Sequence, residues 1–329
     1  MKRLVRNVSI FIILLQLPFY FYVEYFSMNF MNLEYPMWQY QKDIISGELG
    51  RGNPGILILG DSRTMAGVIP SMLSSDARSL SVGGSSPVES YYMLRNYLKN
   101  HKKPETIFLS FSPFHFEKNS FFWERTVKFK LLSISEEIEI LQRSRELNDY
   151  VVAGNKPILL GYSKALLYRM NFFYYYLTDI RAGKIYSRRS SNIAKFNEMD
   201  RDLGFTRYGT KQSSGGLGFE LEQEKFTLSA LFDYYMRELL DLCKAEGIMV
   251  IYETLPVNED TFKAVTENYV SDYRDYIKRL KRDYAEFIID DGFYNYTNDY
   301  FGDPNHLNKR GSERLTLYLK DKYAIYLNG

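Results

Sequence analysis

Cysteine is almost missing from this chain of 329 residues: Cys243 stands alone. A lone thiol excludes an intramolecular disulfide and a cysteine-based zinc site, and it suits either side of a membrane. We read it as a small core residue. An excess of one charge is also missing, since 42 basic side chains face 40 acidic ones. That balance lacks the electrostatic footprint of a nucleic-acid binder, so nucleic acid is not expected as a partner. Internal repeats and low-complexity tracts are absent, and no small-x-small cleavage site follows the first apolar segment. Histidine is scarce, with three in the whole chain. Chemistry that needs an imidazole therefore has few places to reside.

What is present allows a large core: 45% of the residues are hydrophobic and 16% aromatic, and the length fits one elaborated domain. Lys2, Arg3 and Arg6 precede an apolar run over residues 8–23, broken by Ser9, Gln16 and Pro18. At roughly 1.5 Å per residue the run falls slightly short of a ~30 Å hydrocarbon core, and Tyr20, Tyr22, Tyr25 and Phe26 would extend it into the interface. The pattern predicts an uncleaved single-pass anchor over residues 1–26, its basic end cytoplasmic and the remainder exported. A cleaved signal peptide is the alternative. Residues 27–54 read as a connector with a short helical piece.

From Gly55 onward, short apolar runs alternate with amphipathic stretches. Strands are expected at 56–59, 80–82, 106–111, 248–252 and 287–289, as continuous apolar runs buried on both faces. Helices are expected at 88–100, 228–246 and 260–284 from their apolar periodicity, with Gly247 as the stop of the second. The fold class is therefore α/β, a doubly wound, mostly parallel five-stranded sheet with helices on both faces, built from residues 55–329. Residues 114–225 lack the strand–helix rhythm and read as a mainly helical insertion after the third strand. Its aromatic segment 168–176 either closes a small helical core or contacts substrate or membrane.

Three segments carry candidate chemistry. The first strand runs into Gly60-Asp61-Ser62, which puts Ser62 at the strand's C-terminal edge and the start of a helix. Free N–H groups and the helix dipole there favour a developing oxyanion; plain capping by Asp61 or Ser62 is the structural alternative. In the second, Ser79 to Val82 leads into Gly83-Gly84, where the Gly84 N–H could approach the same oxyanion or simply make a turn. The third is Asp303-Pro304-Asn305-His306. A carboxylate three residues before a histidine can fold back onto Nδ1 and leave Nε2 for the serine. Ser62, His306 and Asp303 are thus a complete candidate triad, and His115, after the third strand, is a candidate for the cleft wall.

These segments, in this order, resemble the SGNH (GDSL) hydrolase superfamily over residues 55–112 and 226–327. The resemblance implies a Ser62 nucleophile, a His306 base oriented by Asp303, and an oxyanion hole made by Ser62, Gly84 and the residue at position 112. That family usually places asparagine in its third block, where this chain has Ser112, and often asparagine where this chain has Ser79. No metal or organic cofactor is implied. The anchor, the divergent third block and the insertion resemble the membrane-tethered branch, which implies O-acyl (acetyl) transfer to an exported cell-envelope polysaccharide and a membrane protein that delivers the acyl group. A carbohydrate or lipid esterase, and a non-catalytic envelope assembly or binding module, are the rival expectations.

Overall fold

In the computed structural model, residues 1–153, 158–222 and 224–327 are described, except for the side chains of Leu4, Val5, Val8, Ser9, Ile12, Ile158 and Glu222. Part of the expected apolar anchor run thus lies outside the described side chains.

Strands β1 (Ile56–Gly60), β2 (Ala77–Ser79), β3 (Thr106–Ser110), β4 (Met249–Tyr252), β5 (Val257–Asn258), β6 (Ile288–Ile289) and β7 (Asn295–Tyr296) follow in chain order. Five of them form one sheet in the order β2-β1-β3-β4-β6, with every pairing parallel. Side chains of β1 alternate between the faces. Leu57 and Leu59 join a core with the helices Pro87–Asn100, Ala230–Glu246 and Glu267–Asp283, whereas Ile56 and Ile58 pack with Leu315 and Leu319 of the helix Lys309–Lys322. Two apolar faces require two helical layers, which is why the strands read as continuous apolar runs.

The register pairs Gly60 of β1 with Ser110 of β3, so both central strands end at one level. On either side of this pair the chain winds in opposite directions, β1 leading outward to β2 and β3 to β4. In open parallel sheets such a switch point leaves a crevice beyond the strand ends where ligands bind.

Several expectations need correction. The second strand lies at Ala77–Ser79, not 80–82; Leu80 and Val82 still donate to the carbonyls of Ile58 and Gly60, at 2.8 and 3.2 Å, so the apolar residues mark the exit of the strand. The helix expected at 260–284 is two, Glu259–Ala264 and Glu267–Asp283, because Val265 is extended and the Thr266 side chain caps the second by accepting from the Tyr269 N–H at 3.1 Å. The two-residue strands β5 and β7 pair in a separate ribbon, too short to leave a periodic signal. Gly247 does end its helix, in the left-handed conformation at φ +66°.

Between β3 and the helix Ala230–Glu246 the chain is helical as expected, with Ile134–Glu146, Ile158–Arg169, Leu177–Gly183 and Arg189–Arg201. The N-terminal segment forms the helix Lys2–Phe30, which continues past residue 26 through a non-helical Phe26. Among the described residues no helix is long and apolar enough to cross a membrane. The second half of this N-terminal helix contacts the domain. Gln16 Nε2 donates to the carbonyls of Met170 and Asn171, Glu24 accepts from Asn171 Nδ2 at 2.7 Å, and Val23 and Phe30 are buried in the core.

Candidate active site

Gly60 turns β1 into the Ser62 segment at φ +151°, and a Cβ there would lie 2.0 Å from the Ser110 carbonyl oxygen. Only glycine lets the two strand ends approach so closely. Asp61 follows, fully buried. Its Oδ1 accepts from the N–H groups of Arg63 and Thr64, at 2.9 and 3.3 Å, and its Oδ2 from the Ser112 N–H at 2.7 Å. Asp61 is therefore a helix cap that also ties β1 to β3. The N–H of Ser62, the first residue of the helix Ser62–Gly67, is not among those it takes.

Ser62 Oγ lies 2.8 Å from His306 Nε2, while His306 Nδ1 lies 2.9 Å from both carboxylate oxygens of Asp303. The carboxylate fixes the proton on Nδ1 and leaves Nε2 as the acceptor of the serine proton. Asp303 also accepts from the backbone N–H groups of Asn305 and His306, at 2.8 and 2.9 Å. Burial alone would raise its carboxyl, but the bonds from the His306 ring and these two N–H groups outweigh burial and hold it below the ordinary carboxylate range.

Two side chains fix this loop. The Arg63 guanidinium, 6% exposed, pairs with fully buried Glu220 at 2.5 and 2.9 Å, and its Nη2 also donates to Asn305 Oδ1 at 3.1 Å. Asn258 Nδ2 donates to the carbonyl of Pro304 at 2.7 Å. Burial works against the Arg63 charge, yet the adjacent carboxylate of Glu220 more than compensates and raises its pKa. The residue directly after the serine thus clamps the loop that carries the histidine.

A cavity of about 290 Å³ opens onto Ser62 and His306. Of the expected oxyanion donors, Ser62 and Gly84 line it and Ser112 does not. Gly84 is left-handed at φ +81°, and a Cβ there would meet the Phe121 ring at 2.7 Å. The Ser112 N–H is held by Asp61, and its carbonyl accepts from the His115 N–H at 3.0 Å to start the turn Pro113–Phe116. That turn carries His115 to the cavity, in agreement with its placement from sequence. Burial holds the His115 imidazole below its ordinary range against the pull of Asp61, whose Oδ2 lies 3.7 Å away.

Seven lining residues escaped the sequence reading, and four of them, Glu34, Phe121, Arg125 and Tyr208, make contacts that shape the site. Tyr208 stacks on the His306 ring at 4.8 Å between centroids and donates to Glu34 Oε2 at 3.3 Å. Burial, together with the charge of Glu34, pushes its phenol well above the ordinary range. Arg125 Nη1 donates to the Gly83 carbonyl at 2.8 Å, lies 3.6 Å from Glu34 Oε2, and its guanidinium sits 4.0 Å from the centre of the Phe121 ring. Burial raises the Glu34 carboxyl, with Arg125 and Tyr208 opposing. Glu34 comes from the connector, and Phe121, Arg125 and Tyr208 from the insertion. None stands in a periodic or motif context, so no local signal could have found them. Among the described residues no cluster of His, Cys, Asp or Glu could hold a metal ion.

No protein-family model matches this chain, and no curated protein matches it.

Proposed function

We propose that this protein performs serine-dependent acyl-ester chemistry and belongs to the SGNH hydrolase superfamily. One observation carries the proposal: Ser62 Oγ, the His306 ring and the Asp303 carboxylate stand in hydrogen-bonded series, at 2.8 and 2.9 Å, at the switch point of a parallel sheet. A hydroxyl becomes an effective nucleophile when a base is ready to take its proton.

In this mechanism Ser62 Oγ attacks the ester carbonyl carbon while its proton passes to His306 Nε2. Asp303 stabilises the imidazolium that results. The N–H groups of Ser62 and Gly84 receive the negative carbonyl oxygen, a role in which one donor is typically worth about 3 kcal/mol. Collapse breaks the bond to the alcohol, which takes the proton from Nε2 and leaves an acyl-Ser62 ester. An incoming hydroxyl then gives its proton to Nε2, attacks the acyl carbon and frees Ser62. A sugar hydroxyl completes acyl transfer, the outcome we favour, to a cell-envelope glycan; water completes hydrolysis.

The N-terminal helix supports a membrane-attached arrangement. Ile10, Phe11, Ile13, Leu14, Leu15 and Leu17 are about half exposed or more, and such consecutive positions point to every side of a helix. A partner helix would bury one stripe, whereas lipid accepts apolar surface all round. Exposed Lys2, Arg3 and Arg6 at the free end would face the cytoplasm, with the domain exported and within reach of a membrane protein that delivers the acyl group.

Turnover of 4-nitrophenyl acetate by wild type and Ser62→Ala tests the chemistry. The expected loss is roughly 10⁴-fold or more; equal rates overturn the proposal.

A further inference from the structure

The cavity wall carries a mostly shielded pair of opposite charge that the chemistry above does not use. Glu34 and Arg125 both line the cavity of Ser62 and His306, with side chains only about a fifth exposed. Their known partners occupy one atom of each: Glu34 Oε2 receives the Tyr208 hydroxyl, and Arg125 Nη1 donates to the Gly83 carbonyl. Among the described residues, Glu34 Oε1 and Arg125 Nη2 make no hydrogen bond.

An apolar acyl or alkyl group seated here would strip water from both polar groups and return no hydrogen bond in exchange. An anionic ligand drawn to Arg125 would meet the Glu34 carboxylate, 3.6 Å from the guanidinium; a cation drawn to Glu34 would meet Arg125. A neutral group that donates and accepts at adjacent positions satisfies both at once. Neighbouring hydroxyls do so, one donating to Glu34 Oε1 and the other accepting from Arg125 Nη2. The rest of the wall suits the carbon skeleton of such a group. Phe121 lies under Arg125, and Phe114 stacks on Phe219 at 5.3 Å between centroids.

We propose that Glu34 and Arg125 bind a vicinal diol of a saccharide beside Ser62, making the ester handled here a carbohydrate ester. The inference rests on the serine chemistry and names the residues that hold the sugar alcohol proposed for it. The leaving alcohol of acylation and the accepting alcohol of deacylation both exchange a proton with His306 Nε2, so one diol site serves both. The residues of this site lie outside the triad segments: Glu34 precedes the helix Tyr35–Ser46, and Arg125 lies in the turn Phe122–Val127. The connector and the insertion would therefore set the specificity of a triad built by the sheet.

The test compares acylation of the full chain by two secondary acetates, monoacetylated methyl glucoside and 2-propyl acetate, through their ratio of kcat/KM. Wild type is expected to prefer the glucoside ester by about 100-fold or more, and Arg125→Met and Glu34→Leu to reduce that preference at least about ten-fold, since a site built for hydroxyls discriminates against ligands that lack them. A ratio is insensitive to the fraction of folded protein. A wild-type ratio near one, or a ratio unchanged in both variants, overturns the diol site alone. Absence of turnover with both esters and with 4-nitrophenyl acetate overturns the serine chemistry, and this inference with it.

Discussion

Two aspartate–histidine pairs flank Ser62, and they differ in almost every physical respect. Asp303 and His306 sit in a partly open loop, share hydrogen bonds at 2.9 Å, and present Nε2 to the serine. Asp61 and His115 are buried, 3.7 Å apart, and the Asp61 oxygens are held by three backbone N–H groups. In the proposed chemistry the first pair accepts a proton because the Asp303 carboxylate is hydrogen-bonded directly to the far nitrogen of the ring. The second cannot do so readily, since burial disfavours the charged imidazole and Asp61 is engaged elsewhere. On the proposed chemistry the same two residue types thus serve as a proton relay in one place and as a structural joint in the other, and the surroundings decide which.

The largest effect that would break this comparison concerns the relay. His306→Ala should lower ester turnover by about the same 10⁴-fold or greater factor as Ser62→Ala, with the double variant no worse, because triad members act as a unit. Multiplicative losses in the double variant, measured by steady-state kinetics, would show that the pair does not act through the serine.

Next comes the clamp between the regions. Arg63→Met leaves Glu220 buried without its cation and should cost about 3–5 kcal/mol in urea unfolding. Replacing both, as Arg63→Met with Glu220→Leu, should recover most of that loss. A double variant as unstable as the single one would show that the ion pair is not the cause.

On the structural side, Asp61→Ala removes a buried cap and should destabilise by about 1–2 kcal/mol, with further loss if water does not reach the freed Ser112 N–H. The prediction sharpens the contrast: the activity lost per folded molecule should be far smaller than for Asp303→Ala. Equal catalytic losses would make Asp61 part of the relay.

The smallest effect is a pH dependence. The folded pKa of His115 is lowered by burial from its usual 6.5, so the unfolded chain binds this proton more readily. The stability it contributes is complete above about pH 6.5 and is lost as pH falls below that value, by at most about 1.4 kcal/mol per pH unit. Asp303, also depressed, adds its own loss only below the ordinary carboxylate range. Urea unfolding between pH 7 and pH 5 should therefore show a shallower slope in His115→Phe than in wild type. Identical slopes would mean that the ring is not held neutral.

The same contrast explains what the sequence made legible. Residues 56–59 and 106–111 announced themselves because strands buried on both faces must be apolar throughout, and the triad because its partners sit in short motifs next to predictable strand ends and helix starts. The division of the helix at Val265 was hidden, since the apolar periodicity runs across a break caused by one threonine cap. The expectation for Ser112 rests on a resemblance alone; Ser112 is outside the cavity lining, and its backbone N–H is taken by Asp61. Glu34, Phe121, Arg125 and Tyr208 meet only through tertiary packing, between segments that have no pattern in common.

The most direct measurement is covalent labelling of the full chain with a fluorophosphonate, with the adduct located by peptide mass spectrometry. The account predicts a single adduct at Ser62 in wild type that is abolished in His306→Ala. No adduct, or one at Ser62 that forms equally fast without His306, would contradict it.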